Sequence, residues 1–567
     1  MSERRPSNPR SVSDGSPSSR LSFMLISFLA IALIWVGRLV YLQVIKADEL
    51  SSAAAASRTV SADISPRRGT IYDRNGNVLA TSVDATTVYA NPKEVVDRAS
   101  TANAIADVLG GEASDYRDLL DQDTTFVYLM RKADVDVADA LREKGLSGVY
   151  FIADTKRVYP YGKVAGQVLG FVNVDGQGVS GLELYYDDIL KGTPGRLVEQ
   201  RGGKGIPIPG GTEVDEPAKD GQDIVISIDI DMQSYLEKRL AEGVEQIGGD
   251  DGGAVLMDAS TGDLLAIAST PYFDPAAPSE SEVGSDSLKP VTQGYEPGSI
   301  FKTVSMTALL EAGAVTPDTT VFAPAGLAAD EYVISDAHER GDMTMTARYV
   351  MQDSSNVGIS LLVEDHLGFG PLYDKIVAYG LKGATGVDYP GEAGGYLAPN
   401  VETWPQILKY NVTFGQGIAT TPLQMTRFYG ALINDGVAVT PHLLLSKPQT
   451  GEVMTYETET IIENKAAIAP MVSMLETVVE EGTGRGAAIE GYVVAGKTGT
   501  AEYVDEDTGQ YAKHSYNLDF VGVLPNASTP LVCFVGVNEV PYERNTTEVF
   551  KDIMTEAISR YRVVQSD

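Results

Sequence analysis

Ser299 and Lys302 stand three residues apart in the stretch Gly294-Tyr-Glu-Pro-Gly-Ser-Ile-Phe-Lys-Thr-Val-Ser-Met-Thr-Ala-Leu-Leu310. Pro297 and Gly298 punctuate a turn, and the apolar spacing of Phe301, Val304, Ala308 and Leu309 predicts a helix opening at Ser299. On that helix the serine and the lysine share one face, one turn apart. A serine hydroxyl is a poor nucleophile without a neighbouring base. A lysine desolvated in a cleft can supply one, because burial disfavours its charged form. The unpaired N–H groups of a helix start also favour developing negative charge. Taken alone, the pair equally fits an exposed serine and lysine on a solvated helix. Two further signals follow in order. Ser354-Ser-Asn356 precedes the apolar helical run Val357, Ile359, Leu361 and Leu362, and Lys497-Thr-Gly-Thr500 follows Val493-Val494 ahead of two more strand-like runs. Each alone reads as a cap, a turn or a solvated face. Taken one at a time, none of the three decides between chemistry and scaffold.

Several elements must position these residues. Asp223-Ile-Val-Ile-Ser-Ile228 reads as a strand, and Met232, Tyr235, Leu236, Leu240 and Val244 recur at helical spacing. Gly253-Ala-Val-Leu-Met257 and Leu264-Leu-Ala-Ile267 flank the Asp258-to-Asp263 turn as a hairpin. Val493–Lys497, Asp519–Leu524 and Leu531–Val537 supply three more strands, and Glu548–Arg560 a closing helix. Strands at both ends of this domain with helices between them predict an α+β fold, a mostly antiparallel sheet packed with helices.

Composition narrows the function classes. A chain of 567 residues implies more than one domain, and its net charge of −34 argues against a nucleic-acid partner. The single Cys533 excludes an intrachain disulfide and reads as a core residue of its strand. His338, His366, His442 and His514 show no metal-ligand spacing and read as surface or loop residues, so a zinc hydrolase is disfavoured. No metal or cofactor is expected.

Residues 1–20 are rich in Ser, Pro and Arg and read as a disordered tail. Residues 21–45 are mostly apolar, with Arg38 as their one charged residue, and long enough to cross a bilayer as one helix. Arg4, Arg5, Arg10 and Arg20 place the amino terminus in the cytoplasm and the remainder outside. The rival is a cleaved signal peptide, with Ala53-Ala-Ala-Ala56 as its cleavage site. The apolar segment exceeds the usual h-region, and Arg38 separates it from those alanines, so an uncleaved anchor is favoured. Beyond it, Asn75-Gly76 between two apolar runs signals a hairpin. Residues 101–150 read as an inserted subdomain without chemistry, and the Gly/Pro-rich stretch 201–222 as a linker.

At this point the chain resembles the class B penicillin-binding proteins, and the division-type (FtsI-like) branch most closely. The ordered set Ser-x-x-Lys, Ser-x-Asn and Lys-Thr-Gly carries the resemblance, with Ser355 standing where the motif set has Asp. So do Arg68-Gly-x-Ile-x-Asp-Arg-Asn-Gly76, Tyr295-Glu-Pro-Gly-Ser299, Phe414-Gly-Gln-Gly417, Thr421-Pro-Leu-Gln-Met425, Glu481-Gly-Thr-Gly484 and Ala495-Gly-Lys-Thr-Gly-Thr-Ala501. Val88-Tyr-Ala-Asn-Pro92 and a compact pedestal tilt the likeness toward division rather than elongation. The implied organisation is a tail (1–20), an anchor helix (21–45), a pedestal of the dimerisation type (46–221) and a transpeptidase domain (222–567). The absence of a preceding glycosyltransferase domain separates it from the bifunctional class A type.

The resemblance implies a D,D-transpeptidase of peptidoglycan stem peptides. Ser299 would attack the carbonyl between two D-alanines, Lys302 would take its proton, and Ser354 and Asn356 would relay protons and orient the substrate amide. Lys497, Thr498, Gly499 and Thr500 would bind the terminal carboxylate, and the N–H groups of Ser299 and Thr500 would form an oxyanion hole. β-Lactams would trap Ser299. Arg68, Gly69, Asp73, Arg157, Gly170 and Glu183 read as a structural ion-pair and turn network. A SEDS-type glycosyltransferase, divisome proteins and the membrane are the implied partners.

Three rivals use overlapping residues. A class A β-lactamase needs a Glu-x-x-Leu-Asn-type element, and the nearest text, Glu364-Asp-His-Leu-Gly368, lacks the Asn. A D,D-carboxypeptidase would use water as acceptor on the same residues. A non-catalytic scaffold should have lost Ser299, Lys302 or Lys497, and a β-lactam sensor should carry an inner signalling domain, for which about 20 residues before the helix are short.

Overall fold

The computed structural model describes residues 17–48, 50, 59–201, 207–504, 511–541 and 544–566. The chain divides into two compact units, one of residues 1–65 and 194–219, the other of residues 66–193 and 220–567. In the first, helix α1 (Pro17–Val40) runs into a π-helical turn at Tyr41–Ile45. The span Leu21–Ile45 is long and apolar enough to cross a membrane, with a mean hydropathy of 2.3. Residues 17–20, expected in the tail, are already helical, while Arg4, Arg5, Arg10 and Ala53–Ala56 lie outside the described residues.

The first unit also holds a three-stranded antiparallel sheet of β1 (Thr59–Ile64), β2 (Gly195–Arg201) and β3 (Pro207–Glu216), with β2 central. The stretch expected as a linker is therefore largely a strand. Pro207 and Pro209 mislead the sequence reading because proline cannot donate to a ladder, but β3 is an edge strand, where the missing N–H costs little.

In the second unit, the predicted Asn75-Gly76 turn joins Ile71–Tyr72 to Val78–Ala90, with Gly76 at a φ of 87°. Asp73 Oδ1 accepts from the N–H groups of Asn75 and Asn77, both at 2.8 Å, which closes the turn. Residues 98–149 carry three helices and a strand around their own apolar core, including Ile105, Leu120 and Leu141. The expected ion-pair network is present. Glu183, fully buried, accepts from Arg68 Nε at 2.5 Å and Arg157 Nε at 2.7 Å, while Arg157 Nη1 donates to the Gly69 carbonyl at 2.7 Å.

The larger part of this unit is built on a five-stranded, wholly antiparallel sheet. Its strands are β4 (Asp251–Asp258), β5 (Leu264–Ser269), β6 (Ala495–Val504), β7 (Tyr511–Val523) and β8 (Leu531–Val540), in the order β5-β4-β8-β7-β6. The hairpin expected at 253–267 is β4–β5, and the closing helix spans Thr547–Tyr561. That helix and Ile230–Ile247 cover one face of the sheet through Leu236, Leu240, Phe550 and Ile553, beside the buried Cys533. The other face meets the central helices, whose apolar side chains form the main core. The α+β expectation holds, with strands from both ends of the domain joined in one sheet.

His442, expected at the surface or in a loop, lies between strands and is buried. Its Nε2 bonds Asp263 at 2.9 Å and its ring stacks on Tyr456 at 3.6 Å, so the short His442 loop packs inward where sequence spacing gave no cue.

Glu183 makes a stability prediction. Replacing it with Ala leaves the buried Arg157 without its carboxylate and Arg68 with Asp187 alone at 2.7 Å, a loss of about 3–5 kcal/mol. Glu183→Ala should melt far below the parent, whereas Arg67→Ala, which breaks an exposed pair with Asp84, should leave the melting temperature nearly unmoved.

Candidate active site

The turn Gly298–Phe301 is 3-10 rather than α-helical, and α-helix begins at Lys302 and runs to Glu311. Tight 3-10 geometry still places residues three apart on one edge. Ser299 and Lys302 accordingly meet, with Lys302 Nζ 2.8 Å from Ser299 Oγ. Gly298 has a φ of 54°, and a Cβ there would lie 2.9 Å from the Thr500 carbonyl oxygen, so only glycine lets the turn approach β6 this closely.

A strap holds this turn in place. Gly298 N–H donates to the Gly415 carbonyl at 3.0 Å, Gly417 N–H donates to Glu296 Oε1 at 2.8 Å, and Tyr295 and Thr420 exchange main-chain hydrogen bonds at 2.9 Å each. The Phe414-Gly-Gln-Gly417 turn thus packs directly behind the nucleophile. From the helix Pro422–Ile433, the buried Tyr429 hydroxyl bonds the Ile300 carbonyl at 2.9 Å and Thr303 Oγ1 at 2.7 Å.

Ser354 joins the two lysines. Lys302 Nζ donates to its carbonyl at 2.5 Å and to its Oγ at 3.0 Å, and Lys497 Nζ reaches the same Oγ at 2.9 Å. Ser354 adopts a φ of 60°, a left-handed conformation costly for a residue with a Cβ, and this turns both its carbonyl and its hydroxyl toward Lys302. Ser355, standing in place of the motif's Asp, caps the helix Asn356–His366 by accepting from Gly358 N–H at 2.9 Å. It also donates to Asp336 Oδ2 at 2.8 Å, and Asp336 Oδ1 accepts from Val357 N–H at 3.0 Å. A carboxylate thus lies next to the middle motif, supplied by a different segment. The Asn356 amide donates to the Ser335 carbonyl at 3.0 Å.

Lys497 enters from β6, which pairs with β7 so that Gly499 lies opposite Asp519 and Thr500 opposite Leu518. Thr498 Oγ1 shares a 2.7 Å hydrogen bond with Thr483 Oγ1, and Thr500 is exposed. A Cβ at Gly499 would lie 3.1 Å from side-chain atoms of both Ile300 and Asp519, so any side chain there would make these neighbours shift.

Both lysines are fully buried. Burial, reinforced by Lys497, holds Lys302 well below the usual lysine range, with Asp336 and Asp353 opposing more weakly. Burial likewise pushes Lys497 down to about 7 against the pull of Asp353. A neutral Lys302 has two N–H groups and one lone pair. The N–H groups match Ser354 O and Oγ, which leaves the lone pair for the Ser299 hydroxyl proton. The arrangement can therefore take the Ser299 proton as its oxygen attacks an electrophile.

The family model of the penicillin-binding protein transpeptidase domain matches residues 252–555, and that of the penicillin-binding protein dimerisation domain matches residues 63–226. The chain belongs to the class B penicillin-binding proteins. It is 33% identical to stage V sporulation protein D of Bacillus subtilis over 93% of this chain and 82% of that one. It is 31% identical to peptidoglycan D,D-transpeptidase FtsI of Escherichia coli over 90% of this chain and 85% of that one. Penicillin-binding protein 3 of Mycobacterium tuberculosis, solved in complex with aztreonam, superposes with a TM-score of 0.68 at 26% identity, covering 89% of this chain and 98% of that one.

Of the residues named from sequence, Ser299, Lys302, Ser354 and Lys497 form one hydrogen-bonded cluster, with Thr498 to Thr500 beside it on β6. Asp336, Thr483 and Tyr429 were missed. Thr483 lay inside a recognised word, Glu481-Gly-Thr-Gly484. Tyr429 looked like one more apolar helix position, and Asp336 sits in an irregular segment without a pattern.

The buried lysine has a stability consequence. Lys497 titrates at about 7 in the folded protein and near 10.4 when unfolded. Between those values the unfolded chain binds the extra proton, so stability rises with pH. Lys497→Met should therefore melt above the parent at pH 7, and the gain should shrink as pH approaches 10.

Proposed function

We propose that this class B penicillin-binding protein is a membrane-anchored serine D,D-transpeptidase that cross-links peptidoglycan stem peptides through an acyl-enzyme on Ser299. The supporting observation is the 2.8 Å approach of Lys302 Nζ to Ser299 Oγ by a lysine that burial keeps neutral. Ser299 Oγ attacks the carbonyl between the two D-alanines as its proton passes to Lys302. The oxyanion is held by the N–H groups of Ser299 and Thr500. Collapse breaks the C–N bond and expels D-alanine, whose nitrogen takes the proton back through Ser354. An amine of a second stem peptide then attacks the ester, Lys302 accepts its proton, and Ser299 is regenerated with the cross-link made.

Lys497 in its cationic form, with the Thr498 and Thr500 hydroxyls, binds the terminal carboxylate of the donor. Asn356 orients the substrate amide once a donor draws it from Ser335. A β-lactam offers the same carboxylate and a strained amide, and so acylates Ser299. The chain runs from a cytoplasmic tail through the anchor at 21–45 to a pedestal at 46–221 and the transpeptidase domain at 222–567, both outside the membrane. Its work is septal, beside a SEDS-type glycosyltransferase and divisome proteins. The supports for that are the FtsI relative and the Val88-Tyr-Ala-Asn-Pro92 word.

Intact-mass analysis after incubation with benzylpenicillin tests the mechanism. The parent should gain one penicilloyl group that is lost slowly, and Ser299→Ala should gain none. Lys302→Ala should acylate about 100- to 10,000-fold more slowly, the usual contribution of a positioned base. An adduct persisting in Ser299→Ala would sink the assignment. For the septal role, a fluorescent fusion in growing cells should gather at the division site, and a uniform side-wall signal would refute it.

A further inference from the structure

A cavity of about 730 Å³ lies beside the active-site sheet and does not include Ser299, either catalytic lysine or Ser354. Its floor has an unusual cause. Gly499, Asp519, Gly536 and Gly253 are aligned across β6, β7, β8 and β4. Three glycines in register strip the side chains from this sheet face and leave one, Asp519, standing among them. A Cβ at Gly536 would come within 2.6 Å of Asp519 Oδ1, and one at Gly253 within 3.0 Å of Pro290, so ordinary side chains would fill the space.

The polar groups turned into this space are few and under-satisfied. Asp519 is 2% exposed and Asn517 7% exposed; the Tyr295 hydroxyl is the side-chain partner of Asp519, while Asn517 Oδ1 makes no hydrogen bond among the described residues. Buried polar atoms without partners are costly and uncommon. Asn517 Oδ1 is an acceptor, so it calls for an N–H or O–H donor. The rim adds the exposed carboxylate of Glu502, while Lys289, the lining's cation among the described residues, is already paired to Asp251. The Tyr295 and Phe534 rings, edge to face at 6.2 Å, provide aromatic walls of the kind that attract cations.

We propose that this cavity is a binding site for an organic cation rich in N–H donors, a primary ammonium or guanidinium group on an aliphatic stem. Its charged end would sit between Asp519 and Asn517, and its stem against Tyr295 and Phe534. The cavity volume falls in the range of small-molecule sites. An occupant would touch Tyr295, which is four residues from Ser299 and pinned by the main-chain pair with Thr420, so the site adjoins the strap behind the nucleophile.

Burial pushes Asp519 up to about 8, so near neutrality it carries a proton that a cation must displace. With Tyr295, Glu296, Glu502, Glu539 and the Asp251–Lys289 pair as its titratable surroundings, the site should bind an ammonium group more tightly as pH rises toward 8.

Calorimetric titration of full-length Ser299→Ala protein in detergent tests this without turnover, so a negative result would leave the acyl-enzyme reading standing. The probes are 1,5-diaminopentane, agmatine and N-acetyl-lysine amide, the last separating a peptide-borne amine from a free one. 1,5-Pentanediol serves as the neutral control, and tetramethylammonium as a cation without donors. Saturable binding of at least one amine or guanidine probe, with neither control binding comparably, is expected. Adding Asp519→Asn or Asn517→Leu should weaken it tenfold or more, and Glu502→Gln, on an exposed residue that leaves the fold alone, two- to threefold. Absence of saturable binding to the folded protein would overturn the proposal. So would equal binding of either control, or unchanged affinity in all three variants.

Discussion

Two ammonium groups cannot both stay charged around one buried hydroxyl. Lys302 Nζ and Lys497 Nζ lie 3.0 and 2.9 Å from Ser354 Oγ, and neither side chain is exposed to water. Dehydration removes most of the stabilisation of each charge, and mutual repulsion depresses Lys302 further. Asp336 and Asp353 offset this only in part. The resulting pair is a neutral lysine next to one poised near neutrality, the kind of perturbed titration that clusters at functional sites. Such a cluster opposes folding, and the large apolar core around it provides the compensating stability.

The scaffold is arranged so that these groups cannot relax away from one another. Lys302 stands at the start of a buried helix, Lys497 on an edge strand of the five-stranded sheet, and Ser354 in a left-handed turn just ahead of another helix. Gly298 lets the first of these touch the second, and Tyr429 clamps the carbonyl after the nucleophile. Each constraint comes from a different segment, so the geometry exists only when the whole domain is folded. Within the same unit, Glu183 plays a comparable part for residues 66–193. It gathers Arg68 and Arg157 where an unpaired charge would be expensive.

Periodicity and turn chemistry made much of the fold legible. The hairpins at Asn75-Gly76 and at 258–263, the three carboxy-terminal strands and the closing helix all follow from local patterns, because each local preference agrees with the final packing. The misreadings arose where context overrides propensity. Pro207 and Pro209 argue for a loop until β3 is known to be an edge strand. His442 looks like a surface or loop residue until Asp263 and Tyr456 are brought around it. The apolar run after Ser299 predicted a helix, but the first turn is 3-10, a distinction that residue types do not encode.

By itself, then, the sequence singled out Ser299, the two lysines, Ser354 and the apolar span at 21–45, because residue chemistry and short spacings are local properties. Tertiary structure decided the rest. Residues 299, 354 and 497 meet only through sheet register and helix packing, which depend on partners hundreds of residues away. The same holds for Asp336 standing beside Ser355, for Asn356 turning to Ser335, and for the three glycines that align around Asp519. Proximity and desolvation set the protonation of these groups, and both are properties of the folded chain.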